Sequence, residues 1–173
     1  MNTKWTLYLV SHARAFKVGE RGITHDHDRT LTERGIKQAE LVGSILGTRS
    51  KRPKLVLSSP NTRSIETAKI IMKKLELHGI PLISRELLSF AEPAALWYSL
   101  VPHMSKQPLL LVGHRPLLTA FTAWLLGGSS GYRIAFDYAT IARFNIIGAT
   151  ESHPQATLSW LLPNYLFEGS EDD

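Results

Sequence analysis

Three residues stand where short apolar runs give way to polar turns: His12 after Trp5–Val10, Arg63 shortly after Leu55–Leu57, and His114 after Leu109–Val112. Two imidazoles and a guanidinium suit one chemistry above others, the handling of a phosphoryl group. A neutral histidine can attack phosphorus through one ring nitrogen while the other is held as a donor, which fixes the tautomer. A second histidine and an arginine can stabilise the charge on the equatorial oxygens, and the planar guanidinium fork matches phosphate geometry. For this the three side chains must converge.

Strand and helix patterns alternate in a way that would bring them together. Trp5–Val10 reads as a buried parallel strand, Lys54–Leu57 as a second, Pro81–Ser84 as a short third and Leu109–Val112 as a central fourth. Thr30-Leu31-Thr32-Glu33 offers a capping box in which Thr30 or Thr32 is the cap; helical spacing then runs through Ile36, Ala39, Val42, Ile45 and Leu46 to Gly47 at C′. Ser59 is expected as the N-cap of the next helix with Pro60 at N1, and Ile65, Ala68, Met72 and Leu75 form its buried stripe. Glu92-Pro93 opens a modest helix and Pro116 another, closed by Gly127-Gly128.

Gly127–Gly131 reads as a flexible loop, and Thr140–Ile146 and Ala156–Leu162 as an antiparallel hairpin at the sheet edge, with His153 in the loop between them. The expected fold is α/β: a three-layer sandwich with a mostly parallel central sheet, helices on both faces and an antiparallel edge addition. One domain is expected over residues 1–173, frayed from about 166. In open sheets of this kind, ligands lie beyond the carboxyl ends of the strands.

Composition narrows the partners. At 173 residues, 43% hydrophobic and 20% charged, the chain can bury a core without staples. It has no cysteine, which removes disulfides and thiolate metal sites and makes a cytoplasmic protein the simpler expectation. MNTKWTLYLV lacks a signal-peptide pattern, and no apolar run approaches the ~20 residues of a membrane span. The net charge of +5 favours anionic partners, but the basic residues are dispersed and not interleaved with aromatics, so a focused anion pocket is expected and a nucleic-acid groove is not. The run His25-Asp26-His27-Asp28 invites a metal, yet adjacent loop residues rarely converge on one ion; it reads as a polar loop near the pocket mouth. Trp97, Trp124 and Trp160 read as packing residues. No metal or organic cofactor is expected.

Four segments, LYLVSHARA, DHDRTLTERGIKQAELVG, LVLSSPNTRSIETA and LLLVGHRPLL, resemble in order and spacing the blocks of the histidine phosphatase superfamily, which includes phosphoglycerate mutases and acid phosphatases. The early Asp-x-x-Arg-x-Leu-Thr-x-x-Gly block (Asp26 to Gly35) and the short length are most similar to the SixA-like phosphohistidine phosphatases. The resemblance covers residues 5 to about 126. It implies that His12 is the phosphorylated nucleophile, Arg63 a phosphate clamp and His114 the second pocket histidine. It also exposes a departure, because the family motif carries a clamping arginine before its histidine and this chain has Ser11.

Losing a charged hydrogen bond of that kind removes about 1.5–3 kcal/mol, roughly one to two decades in rate. Arg14, Arg29, Arg115 and Lys17 are the candidates to compensate, and a general acid, if one is used, is sought at Glu86 or, better placed, Glu92. Two readings follow. One is a metal-independent phosphatase with a phosphohistidine intermediate, acting on a phosphohistidine protein, another phosphoramidate or a small phosphate ester. The other is a binding module for phosphate or phosphoproteins that has lost turnover with the motif arginine. Mutase activity on phosphorylated sugar acids would need a closed site and a placed acid, for which the short chain leaves little room.

Overall fold

The computed structural model describes residues 4–127, 134–147 and 154–166; the expectations for the 127–131 loop beyond Gly127, for His153 and for the tail after 166 lie outside them. Six strands form one sheet in the order β3-β2-β4-β1-β5-β6. β1 (Lys4–Ser11), β2 (Leu55–Ser58), β3 (Leu82–Ile83) and β4 (Leu109–Gly113) run parallel, while β5 (Ile141–Ile147) and β6 (Gln155–Leu162) add an antiparallel hairpin on the β1 side. The four helices are α1 (Glu33–Gly47), α2 (Thr62–Lys74), α3 (Pro93–Leu100) and α4 (Arg115–Leu125).

The near-continuous apolar strands are explained by their two covered faces. Leu7 and Leu9 of β1, with Leu109 and Leu111 of β4, pack into the core shared with Leu96, Trp97, Leu118 and Phe121 of α3 and α4. The alternate residues Tyr8, Val10, Leu110 and Val112 pack against Ala39, Val42, Ala68 and Ile71 of α1 and α2. Trp97 is fully buried, stacked 5.5 Å from Trp5, and Trp160 lies 6.0 Å from Tyr8, so these tryptophans pack as expected.

β4 lies between β2 and β1. The connections from β1 and β2 lead toward the β3 edge, whereas β4 leads to β5 on the other side. That reversal opens a crevice at the carboxyl ends of β1, β2 and β4.

Some local expectations give way to pairing. Ser59 does not cap α2: its N–H continues the ladder to the Val112 carbonyl at 3.0 Å, and the helix starts only at Thr62 with Asn61 as N-cap. Extended backbone there frees the Ser59 side chain for another partner. Of the two capping candidates before α1, Thr32 is the cap, accepting the Gly35 N–H at 3.0 Å. Gly47 stays inside α1, which ends at Thr48 in right-handed helical conformation. Ile36 is 42% exposed, so the buried stripe of α1 begins at Ala39. No helix among the described residues is long and apolar enough to cross a membrane.

Candidate active site

His12 follows β1 directly, and its N–H remains tied to the Gly113 carbonyl at 2.9 Å, which fixes the ends of β1 and β4 side by side. Its ring nitrogen Nδ1 lies 2.8 Å from the Ala13 carbonyl. A carbonyl can only accept, so Nδ1 carries the proton and Nε2 keeps its lone pair. Nε2 faces the Arg63 guanidinium, whose Nε donates to it at 3.3 Å. Burial, with the charges of His114, Arg63 and Arg115 acting the same way against the opposing Ala13 hydrogen bond, pushes the His12 pKa down to about 3. The imidazole is therefore neutral at physiological pH, the state a nucleophile requires.

His114 follows β4 directly and is the N-cap of α4, 3% exposed, with its ring centroid 5.3 Å from that of His12. Its Nε2 lies 2.8 Å from the Ser59 hydroxyl and 3.2 Å from the Asn61 side-chain nitrogen. Ser59 and Asn61 thus hold the Nε2 edge of the ring. Nδ1 lies 3.5 Å from an Arg63 nitrogen, on the pocket side. Burial first, then the charges of Arg63 and Arg29, push the His114 pKa to about 4 despite the opposing charge of Asp26. Both rings thus meet the one guanidinium, His12 through Nε2 and His114 through Nδ1.

Arg63 is buried to 6% exposure on the first turn of α2. Its two terminal nitrogens reach the Asp26 carbonyl at 2.6 Å and carboxylate at 2.9 Å. Asp26 also receives Arg29 at 3.0 Å, while Arg29 Nε donates to the Phe16 carbonyl at 2.5 Å. Burial raises the Asp26 carboxyl, but hydrogen bonds and charge from Arg29 and Arg63 outweigh it and hold the pKa below its ordinary value. Arg29 therefore serves to brace the loop that carries Asp26.

The remaining candidates divide. The Ser11 side chain is fully buried and turned to the 137–140 turn: its hydroxyl donates to the Asp137 carbonyl and accepts the Thr140 N–H at 3.1 Å. Its donor is committed to backbone, away from an incoming anion. Arg14 is exposed, with its guanidinium 5.3 Å from the Tyr138 ring centroid. Arg115 stacks more closely on the same ring, at 4.4 Å, and pairs with Asp137 at 3.3 Å. Glu92 is the exposed N-cap of α3, and Glu86 accepts from Ser84 at 2.8 Å. None of the described contacts links either acid to the histidines.

Three residues escape sequence reasoning. Tyr138 lies edge-on to His12 with ring centroids 5.8 Å apart. Thr67 accepts the Ala13 N–H at 3.1 Å and donates to the Arg63 carbonyl at 2.7 Å, tying the His12 loop to the Arg63 helix. Glu66 accepts the Leu31 N–H at 2.7 Å. A glutamate and a threonine shortly after Arg63 were the only available signal, and neither residue type is specific. Tyr138 gave no signal at all, because a turn far along the chain brings it to the site. Among the described residues no group of three His, Cys, Asp or Glu side chains is arranged to hold a metal ion.

This geometry can be set beside known proteins. Residues 7–89 match the model of the histidine phosphatase superfamily (branch 1). No curated protein sequence matches the chain. Solved structures share its fold. The protein histidine phosphatase SixA complexed with tungstate superposes with a TM-score of 0.79 at 19% identity, over 94% of this chain and 99% of that one. A putative phosphohistidine phosphatase SixA from Agrobacterium tumefaciens gives 0.71 at 24% identity, over 91% and 97%. A mycobacterial glucosyl-3-phosphoglycerate phosphatase gives 0.68 at 18% identity, over 91% and 98%.

Proposed function

We propose that the chain, whose residues 7–89 match the histidine phosphatase superfamily model, is a metal-independent phosphatase working through a phosphohistidine on His12. The observation that carries this reading is the convergence of both rings on one guanidinium: His12 turns its Nε2 lone pair to Arg63, and His114 turns its Nδ1 edge to the same group. In the first step His12 Nε2 attacks phosphorus, the P–N or P–O bond to the leaving group breaks, and the electron pair departs with that group, which takes a proton from solvent. In the second step water attacks the phosphohistidine, the Nε2–P bond breaks, and the imidazole is released neutral once water has lost its proton. Arg63 and His114 stabilise the oxygens throughout.

A phosphohistidine protein or another phosphoramidate is the substrate class that asks least of a general acid, since imidazole leaves readily once protonated. The half-buried Glu86, bonded to Ser84, and the exposed Glu92 make no described contact with the histidines, which favours such a substrate over an alkyl phosphate ester. Incubation with a phosphohistidine protein, with p-nitrophenyl phosphate as the ester comparison, followed by acid-free mass spectrometry tests the reading. Phosphate trapped on His12, turnover that is lost in H12A and turnover indifferent to chelator are expected. Tungstate binding without trapping or turnover across pH 5 to 8 would instead make the chain a phosphate- or phosphoprotein-binding module.

A further inference from the structure

The space beside His12 where the family motif would bring an arginine is filled in this chain by the 137–140 turn. Ser11 is small enough to admit it. Besides the two hydroxyl bonds, the Ser11 N–H donates to the Thr140 carbonyl at 3.2 Å, and the Ala139 N–H donates to the His12 carbonyl at 3.2 Å. The turn also closes on itself, with the Asp137 N–H on the Thr140 hydroxyl at 3.0 Å and Ala139 at φ 51°. Four hydrogen bonds thus tie this turn to Ser11 and His12.

The turn presents two side chains. Tyr138 stands edge-on to His12, and the Asp137 carboxylate accepts the Tyr138 N–H at 2.7 Å. That same carboxylate oxygen lies 3.3 Å from Arg115, whose guanidinium stacks 4.4 Å from the Tyr138 centroid. Stacking on an aromatic face and pairing with a carboxylate restrict a long side chain that would otherwise sample many rotamers. Arg115 also directly follows His114, so its backbone is anchored at the pocket wall.

We propose that Asp137 and Tyr138, pinned by Ser11, form a cradle that holds Arg115 as the second guanidinium of the phosphoryl site. This rests on the function proposed above and names the residue that completes its anion clamp. Two observations favour Arg115 over Arg14. Arg14 lies farther from the Tyr138 ring, at 5.3 Å, and it lacks the carboxylate anchor. Of the two, Arg115 is also the cation whose charge weighs on the His12 ring. A dianionic phosphoryl group beside His12 would compete with the partly exposed Asp137 for Arg115, and the swap would leave the Tyr138 stack in place. Ser11 is then part of an alternative construction of the clamp and does not by itself mark loss of function.

Tungstate titration by calorimetry, using the full chain as wild type, R115A, R115Q and R49A, tests the proposal together with the rate of His12 phosphorylation. Arg49 is the control, a guanidinium stacked 5.4 Å from Trp160 and without a described contact to His12, Arg63 or His114. R115A and R115Q should each weaken tungstate at least tenfold and slow phosphorylation by more than that, with unchanged melting curves, while R49A stays within twofold. Folded R115A and R115Q that both bind tungstate within twofold of wild type would overturn the assignment. If His12 is phosphorylated equally fast in wild type and R115Q, the cradle fails and the phosphatase reading stands. If tungstate affinity depends on Arg115 but no chain is ever phosphorylated, the cradle stands and the phosphatase reading fails.

Discussion

Asp26 reaches Arg63 twice, through its carbonyl at 2.6 Å and its carboxylate at 2.9 Å, and so neutralises the guanidinium that faces His12. The polar loop before α1 is therefore a working wall of the pocket. Its carboxylate is 61% exposed and competes with any incoming anion for the same donors.

The first prediction concerns that competition. D26N keeps an acceptor toward Arg63 but removes the negative charge, so tungstate or inorganic phosphate should bind several-fold more tightly at pH 7 and low salt. The gain should shrink as ionic strength shortens the screening length. Calorimetric titration at two salt concentrations measures both effects; equal affinities in wild type and D26N would show that Asp26 does not contest the anion.

The ring states of the histidines give a second prediction. Burial and neighbouring cations hold His12 near pKa 3 and His114 near 4. In the unfolded chain each would titrate near 6.5. Between about pH 6.5 and 4 the unfolded state therefore binds more protons than the folded one, and stability rises with pH. The melting temperature should be highest above about pH 6.5 and fall steadily on acidification, less steeply in H114Q. Heteronuclear NMR of the rings should show Nδ1 of His12 protonated at pH 7, with no titration of either ring above pH 5. A ring titrating near pH 6.5 would contradict the buried, cation-flanked site.

Thr67 offers a test of how the His12 ring is aimed. Its hydroxyl joins the Ala13 N–H to the Arg63 carbonyl, and Ala13 in turn accepts the proton of His12 Nδ1. T67V leaves a buried N–H without an acceptor, at about 1–3 kcal/mol of stability. Beyond that loss, kcat should fall with little change in KM, because the ring is misdirected while the clamp remains. T67S should restore both, as seen by denaturant melts and steady-state kinetics; a T67V enzyme with wild-type kcat would make Thr67 purely structural.

Gly35 lies where α1 meets the loop after His12. A Cβ there would sit 2.0 Å from the Arg14 carbonyl oxygen, and the Thr32 N–H donates to that same oxygen at 3.0 Å. G35A must push the loop away, with an overpacking cost of about 1–3 kcal/mol. Chemical denaturation should register this loss, and amide shifts from Ala13 to Thr32 should move. An unchanged midpoint would mean the loop yields freely.

Ser59, turned away from capping, orients His114. S59A removes the hydroxyl at 2.8 Å from Nε2 and leaves only Asn61 to hold the ring. About 1 kcal/mol of orientation is at stake, so roughly a several-fold drop in kcat is expected at unchanged fold. S59A with undiminished kcat would assign that role to Asn61 alone.

The sequence by itself determined the architecture and the central triad. Apolar strands at β1, β2 and β4 can be buried on both faces only in a parallel sheet covered by helices, and the residues at their exits then meet at one edge whatever the details of packing. His12, Arg63 and His114 were legible for that reason. The Asp26–Gly35 block was legible as a pattern but not as a mechanism: only the folded chain shows Asp26 on Arg63, Thr32 capping α1 and Gly35 against the Arg14 carbonyl.

The role of Ser59 was decided by tertiary pairing, since the ladder to β4 overrode a good capping sequence. The partner of Ser11 was decided there too. Asp137 to Thr140 lies 126 to 129 residues away, and no local periodicity or propensity relates positions so distant. Their meeting follows from β5 pairing antiparallel with β1, which returns the chain to the carboxyl end of β1 beside His12.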